Sequence, residues 1–412
     1  MLVHRTEFSP ERAEALLAEI PAAPAVFILR GEPGSEPYVA KSADLRRRLT
    51  RLLGPPEEGS KRLNLRQRCR VIEYKVSGSD FESAFLLYRV LRAEFPKTHR
   101  DRMKLRFAPL IKLNLENPYP RAYVTRRIGK LDSVSRYYGP FPSRAAAEKF
   151  LNDALDFFKM RRCDFDLNPD PAFPGCMYSE MKMCLAPCFK GCTDEQYAAE
   201  VARVHDFLES RGRSLLDQFA AEREQASTDL KFEEAAAIHA RADKVRGILG
   251  AIALPEIVRP IQSLNAVIVQ RAPEPNAVRL FKVISGMVSA PQTFRVEQDL
   301  ETSLGGAPKD QSEKRTPRSM ESRVSETLEA IAPPIADSAA ELNENLALLK
   351  RWYCRSRRAG EIFFADERGE PPLRRIVRGV GRVLKGERAD LGETEEAHRA
   401  YWLARTRAPE QS

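Results

Sequence analysis

Cys176-Met177-Tyr178-Ser179-Glu180-Met181-Lys182-Met183-Cys184-Leu185-Ala186-Pro187-Cys188-Phe189-Lys190-Gly191-Cys192 is the stretch on which the reading of this chain turns. With Cys163 upstream it gives the spacing Cys163-x12-Cys176-x7-Cys184-x3-Cys188-x3-Cys192, five of the chain's seven cysteines, while Cys69 and Cys354 stand alone. Thiolates gathered by short loops can hold tetrahedral zinc or an iron–sulfur cluster. The segment is rich in Pro, Gly and Met and has little hydrophobic periodicity. Such a loop builds no core of its own, and a metal would supply the missing stability. Lys159, Arg161, Arg162 and Lys182 favour the thiolate form. The competing reading is a set of free, partly buried thiols.

Helical patterns follow the cysteines, from Asp194 to about Gln225 and from Phe232 to about Leu249, separated by Ser227-Thr228-Asp229. In the second, Ala235, Ile238, Ala242, Val245 and Leu249 repeat at three- and four-residue spacing and make one narrow apolar stripe. Upstream, Tyr138-Gly139-Pro140-Phe141-Pro142 reads as a tight turn before a helix from Ser143 to about Phe158, and Arg121–Arg126 as a strand. Residues 20–100 read as a small α/β unit. Ala25–Leu29 and Tyr38–Ala40 form a hairpin, Asp44 caps a helix through Leu53, Val71–Val76 is a third strand, and Asp80 caps a helix to Phe95. Residues 264–300 alternate like strands. The polar stretch 302–323 reads as a flexible linker, followed by a helix near Ala339–Arg355, a strand at Glu361–Ala365 and a charged tail over 385–412.

The 412 residues suit two to four domains. Net charge is +9, which favours polyanionic partners. Its distribution says more: Arg46-Arg47-Arg48 and Arg51 share one predicted helix, as a solvated basic face or as a phosphate-binding one. No stretch approaches the roughly 18 apolar residues of a membrane span, and Met1–Arg5 has no signal-peptide core. A cytoplasmic protein with no membrane partner is expected.

Taken together, Tyr138–Ser143, Arg162-Cys163 and Cys176-x7-Cys184-Leu185-Ala186-Pro187-Cys188 resemble the cysteine-rich region of the UvrC family of excinuclease ABC proteins. The resemblance implies Cys163, Cys176, Cys184 and Cys188 as ligands of a [4Fe–4S] cluster or zinc, with Cys192 spare. Leu230–Ile238 resembles the UVR motif through which the family docks on UvrB. Phe232, Ala235, Ile238, Ala242 and Val245 are then the partner-binding residues.

The order of elements over residues 20–100 is similar to the GIY-YIG nuclease domain of that family. Such a site needs a tyrosine near the attacking water, an arginine on the phosphate and a glutamate holding one divalent metal. By the resemblance Tyr38 and Arg48 keep two of these places. Phe27, Ala40 and Leu52 replace a tyrosine, a glycine and a second tyrosine. Leu87 falls at the metal-binding glutamate, so no Mg²⁺ site is expected. Glu82 lies about 140° around the helix and about 7.5 Å along it, and Glu94 about 10 Å along, too far to substitute. Lys41, Arg47, Arg48 and Arg51 are expected to hold DNA without cutting it, since phosphate contacts need only cations.

The family's second nuclease domain, of RNase H-like fold, and its helix-hairpin-helix motifs have no counterpart here, and residues 264–380 resemble only the stretch leading into it. The expected architecture is α+β and multidomain: a GIY-YIG-like domain (15–100), a linker region with the cysteine segment (101–192), a helical hairpin with the UVR motif (193–250), and a mixed α/β domain (260–380). The expected function is a catalytically degenerate nucleotide-excision-repair protein that binds DNA and a UvrB-type partner. An active metal-dependent single-incision endonuclease is the alternative.

Overall fold

In the computed structural model, residues 2–56, 62–252, 256–296, 319–355 and 358–387 are described. Most of the expected linker and nearly all of the expected tail lie outside these residues.

The N-terminal unit is built on Ala25–Leu29, five apolar residues in a row, all buried. A strand covered on both faces reads as a continuous apolar run. The unit comprises β1 (His4–Glu7), α1 (Ala13–Glu19), β2 (Ala25–Arg30), β3 (Tyr38–Ser42), α2 (Leu45–Leu53), β4 (Val71–Val76), α3 (Asp80–Glu94) and the short α4 (His99–Arg102). Its antiparallel sheet runs β1-β4-β2-β3. Strand β1 has no signal in the sequence, because all four of its residues are exposed and it is held by β4 alone, through the ladder, the His4–Tyr74 stack and the Arg5–Glu73 pair. The expected Asp44 cap is present. The cap of α3 is Ser79 rather than Asp80: its hydroxyl accepts the Glu82 N–H, which makes Asp80 the first helical residue.

The middle unit has β5 (Leu110–Asn114), β6 (Arg121–Thr125), β7 (Arg136–Gly139), α5 (Arg144–Leu155), the short α6 (Met177–Glu180), then α7 (Asp194–Glu209), α8 (Arg213–Thr228), α9 (Phe232–Gly250) and β8 (Arg259–Pro260), with sheet order β6-β5-β7-β8. The expected single helix from Asp194 to Gln225 is two helices, so the expected hairpin has three. The break comes at Arg211 and Gly212, with φ of 56° and 87°, a left-handed pair that ends a helix.

A third unit holds β9 (Ala266–Arg271), β10 (Ala277–Ile284), β11 (Met287–Val288), β12 (Gln292–Arg295), α10 (Met320–Glu329), α11 (Ala339–Tyr353), β13 (Glu361–Phe364) and α12 (Leu373–Lys385). Helix α10 starts at a Ser319 cap, so the last residues of the expected linker are helical. Period-two alternation sends Val278 and Leu280 to the face covered by α10 and α12. Phe281 and Val283 face the middle unit.

The units share one core, which runs from Phe81 and Tyr88 through Phe150 and Val245 to Leu346 and Trp352. Helix α11 pins all three with three consecutive buried polar residues. Asn343 donates to the Ile128 carbonyl and accepts its N–H, both at 3.0 Å. Glu344 accepts the Tyr88 hydroxyl at 2.8 Å and lies 3.1 Å from His99 Nε2. Asn345 accepts the Val288 N–H at 3.2 Å. Each would cost a few kcal/mol if left unpaired. Gly78 completes the seam, since a Cβ there would lie 2.1 Å from the Arg271 carbonyl oxygen. No described helix is long and apolar enough to cross a membrane.

Candidate functional site

Helix α2 turns Leu45, Leu49, Leu52 and Leu53 into the core and leaves Arg47 and Arg51 exposed. The neighbouring arginines are tied down. Arg46 donates Nε to the Ile20 carbonyl at 2.6 Å, and Arg48 donates Nη2 to the Tyr38 hydroxyl at 2.8 Å. The structure therefore brings Tyr38 and Arg48 together. Phe27 is fully buried opposite Ala40 in the ladder, its ring centroid 6.1 Å from that of Tyr38. Leu52 is core. Lys41 pairs with Asp80, which also takes Arg355. Burial alone would raise the Asp80 carboxyl, but the two cations outweigh it and hold the group below its ordinary range.

Leu87 lies on the opposite face of the sheet, in an apolar cluster with Val26, Ile28, Val39 and Val90. Its nearest candidate substitutes are committed elsewhere. Glu94 forms a two-bond pair with Arg30 at 2.6 and 3.0 Å. Glu82 is buried, accepts the Gly78 N–H at 2.8 Å and lies 3.3 Å from Arg279, with burial pushing its pKa up.

The cysteine segment is held by its own backbone and by one arginine. Arg161 is 1% exposed and donates to the carbonyls of Tyr119 and Phe165, both at 2.9 Å, and to Cys163 Sγ at 3.5 Å. Cys163, Cys176 and Cys188 lie near enough to Cys184 to act on its ionisation. Cys184 is pushed up to about 11, by burial first and then by its three neighbours, and Cys188 rises for the same reasons. This corrects the expectation that nearby cations favour thiolates: Arg161 is spent largely on carbonyls, Arg162 on Asp156 at 2.8 Å, and burial dominates. The donor set fits a four-thiolate group in kind. Cys184 Sγ accepts the Ala186 N–H at 3.3 Å, the type of outer hydrogen bond that supports a metal-bound thiolate. As placed, no three Cys, His, Asp or Glu side chains among the described residues close on one metal position.

On α9, Ile238, Ala242 and Val245 are 8%, 6% and 0% exposed. They pack on α8 and α5 of the same chain, and Ala235 is half-buried. The expected docking stripe is therefore internal, apart from Phe232, which is 65% exposed. Leu230, within the UVR-like stretch but not among the expected docking residues, is also 73% exposed, in the turn before the helix with φ of 58°. Two large apolar residues flanking Lys231 in a polar turn were the available signal.

Residues 108–207, which carry β5 to α7 and the whole cysteine segment, match the family model described as the UvrC/Cho excinuclease middle domain. This part of the chain is a UvrC-family middle domain. Proteins named UvrABC system protein C align with it at 26% identity over 284 residues (Carboxydothermus hydrogenoformans; 69% of this chain, 46% of the relative). Those from Idiomarina loihiensis and Rickettsia africae align at 29% over 232 residues (54% and 36%) and 30% over 204 residues (50% and 31%). The matched region thus spans less than half of each of these UvrC relatives. No solved structure matches the chain.

Proposed function

We propose that this chain serves nucleotide excision repair by holding DNA and a UvrB-type partner without cutting the DNA. The observation that carries this reading is the contrast around the N-terminal sheet. Tyr38 and Arg48 are joined and an exposed arginine face lies beside them, while Leu87 lies half-buried in apolar packing on the other face of the sheet. Losing the metal carboxylate removes several kcal/mol of transition-state stabilisation. Phosphate contacts through Lys41, Arg47, Arg48 and Arg51 survive that loss. The names of the relatives, UvrABC system protein C, support the pathway. Docking on the partner is assigned to the α9 tip, where Phe232 and Leu230 are exposed and Ala235 is half-buried; Ile238, Ala242 and Val245 support that tip from within. Cys163, Cys176, Cys184 and Cys188 would hold zinc or a [4Fe–4S] cluster, which would fix the fold of the segment.

The test is an equilibrium titration of duplex DNA with Arg47→Glu/Arg51→Glu, beside capture of purified UvrB-type protein by Phe232→Asp. The first should lose about tenfold in affinity and flatten the salt dependence, and the second should lose capture with its melting temperature unchanged. Unaltered DNA affinity and unaltered capture would overturn the reading.

A further inference from the structure

A cleft of about 570 Å³ opens between α5, the cysteine segment and α9, on a part of the molecule that the α2 face does not include. Its walls bring together cations from three separate stretches of sequence: Lys159 and Arg162 after α5, Lys182 from the cysteine loop, Arg241 and Lys244 from α9. Two carboxylates also line it, and both are engaged. Asp156 accepts Arg162 at 2.8 Å, and Asp153 accepts Lys149 at 2.7 Å. Lys159, Lys182, Arg241 and Lys244 make no ion pair among the described residues. Arg241 is instead held over the Phe219 ring, its guanidinium carbon 4.5 Å from the centroid. Arg162 keeps a buried Nε–H with no hydrogen-bond partner. The floor is apolar, with Phe157, Phe158, Met183 and Ile248.

A solvated basic face explains Lys244 on its helix. It does not explain why lysines from two other segments converge on the same hollow, where like charges repel unless an anion offsets them. The ligand must be anionic. An aromatic and aliphatic floor under a cationic rim fits a molecule with flat apolar rings and separate phosphates, the combination by which single strands are held. Cations spread over three elements suit several phosphates rather than one. We infer that this cleft is a second nucleic-acid site, which takes the phosphates of a DNA strand on Lys159, Lys182, Arg241 and Lys244 and a base against Phe157.

The inference stands apart from the α2 face and is tested without it. Lys182→Glu/Lys244→Glu is made in the full chain; both side chains are exposed, so folding should persist, as a melting curve would show. A fluorescent 20-nucleotide single strand is titrated at several salt concentrations, with the exposed Lys130→Glu, which lies outside the cleft, as control. Affinity should fall about tenfold or more, and the salt slope should shrink by about 1.4, the loss of two single-strand phosphate contacts. The control should shift neither. If the double variant melts early, Lys244→Gln alone should still lower the slope by about 0.7. Unchanged affinity and slope would overturn the site. ATP binding by calorimetry that disappears in the variant while strand affinity stays put would make this a free-nucleotide pocket and overturn the strand assignment. Failure here leaves the Arg47/Arg51 result untouched, and the reverse holds as well.

Discussion

The N-terminal unit and the cysteine segment stabilise themselves in opposite ways. In the first, the positions that the proposed nuclease resemblance assigns to chemistry hold apolar packing: Phe27 and Leu52 are core, and Leu87 lies against Val26, Ile28 and Val39. The unit's shape therefore needs no ligand. In the second, about thirty residues carry a small cluster of Leu167, Ala186 and Cys188 with a few half-buried neighbours, Leu185 and Cys192 lean on the main core, and four thiols share one neighbourhood. Burial pushes the Cys184 and Cys188 thiols up, a cost to free thiolates that a bound metal would offset. A fold can outlast its chemistry where packing replaces the reactive groups, and cannot where the reactive groups are the packing.

The largest effect that can break this contrast is metal removal. If the four thiols hold a metal, chelation withdraws on the order of 10 kcal/mol. Limited proteolysis should then cut between residues 163 and 192 while 71–94 stays protected. Equal protection of both regions before and after would dissolve the distinction. Next in size, Phe27→Ala should cost about 3–5 kcal/mol in denaturant unfolding, whether or not chelator is present. A loss below about 1 kcal/mol would mean that the position is not core. The smallest effect sharpens the seam between the units. Asp80 has a folded-state pKa below its ordinary 3.8, so its contribution is present at neutral pH and lost as pH falls below about 3.8 through the lower folded value. Asp80→Asn should lower stability at pH 7 by at most about 1 kcal/mol, since the pair is near half exposed. That gap should narrow as pH falls from 7 to below 3.8, and a gap constant across this range would contradict the assignment.

Much of this was legible in the sequence. The β2–β3 hairpin, α2 with its Asp44 cap, β4 and the four clustered cysteines follow from apolar runs, capping chemistry and spacing. Strand β1 was not legible, because His4–Glu7 carries no apolar alternation and exists only through its partner. The fate of the α9 stripe was not legible either. Three- and four-residue spacing states that a face is buried, not whether the cover is α8 or another protein. Asn343, Glu344 and Asn345 read as surface residues until α11 is seen to lie between three units, each satisfying a group of a different one. The pairing of Asp80 with Lys41 and Arg355 joins residues far apart in sequence, and no local pattern marks it.

The central claim, that the architecture for holding DNA persists without the cutting chemistry, is tested most directly by one assay. Purified full chain is incubated with Mg²⁺ and end-labelled, lesion-bearing duplex preloaded with a UvrB-type protein, and products are resolved by length. The account predicts a retained, shifted duplex with no incision, and no difference between the native chain and Arg48→Ala in cleavage. Mg²⁺-dependent incision that Arg48→Ala abolishes would contradict it and restore the N-terminal unit as a nuclease.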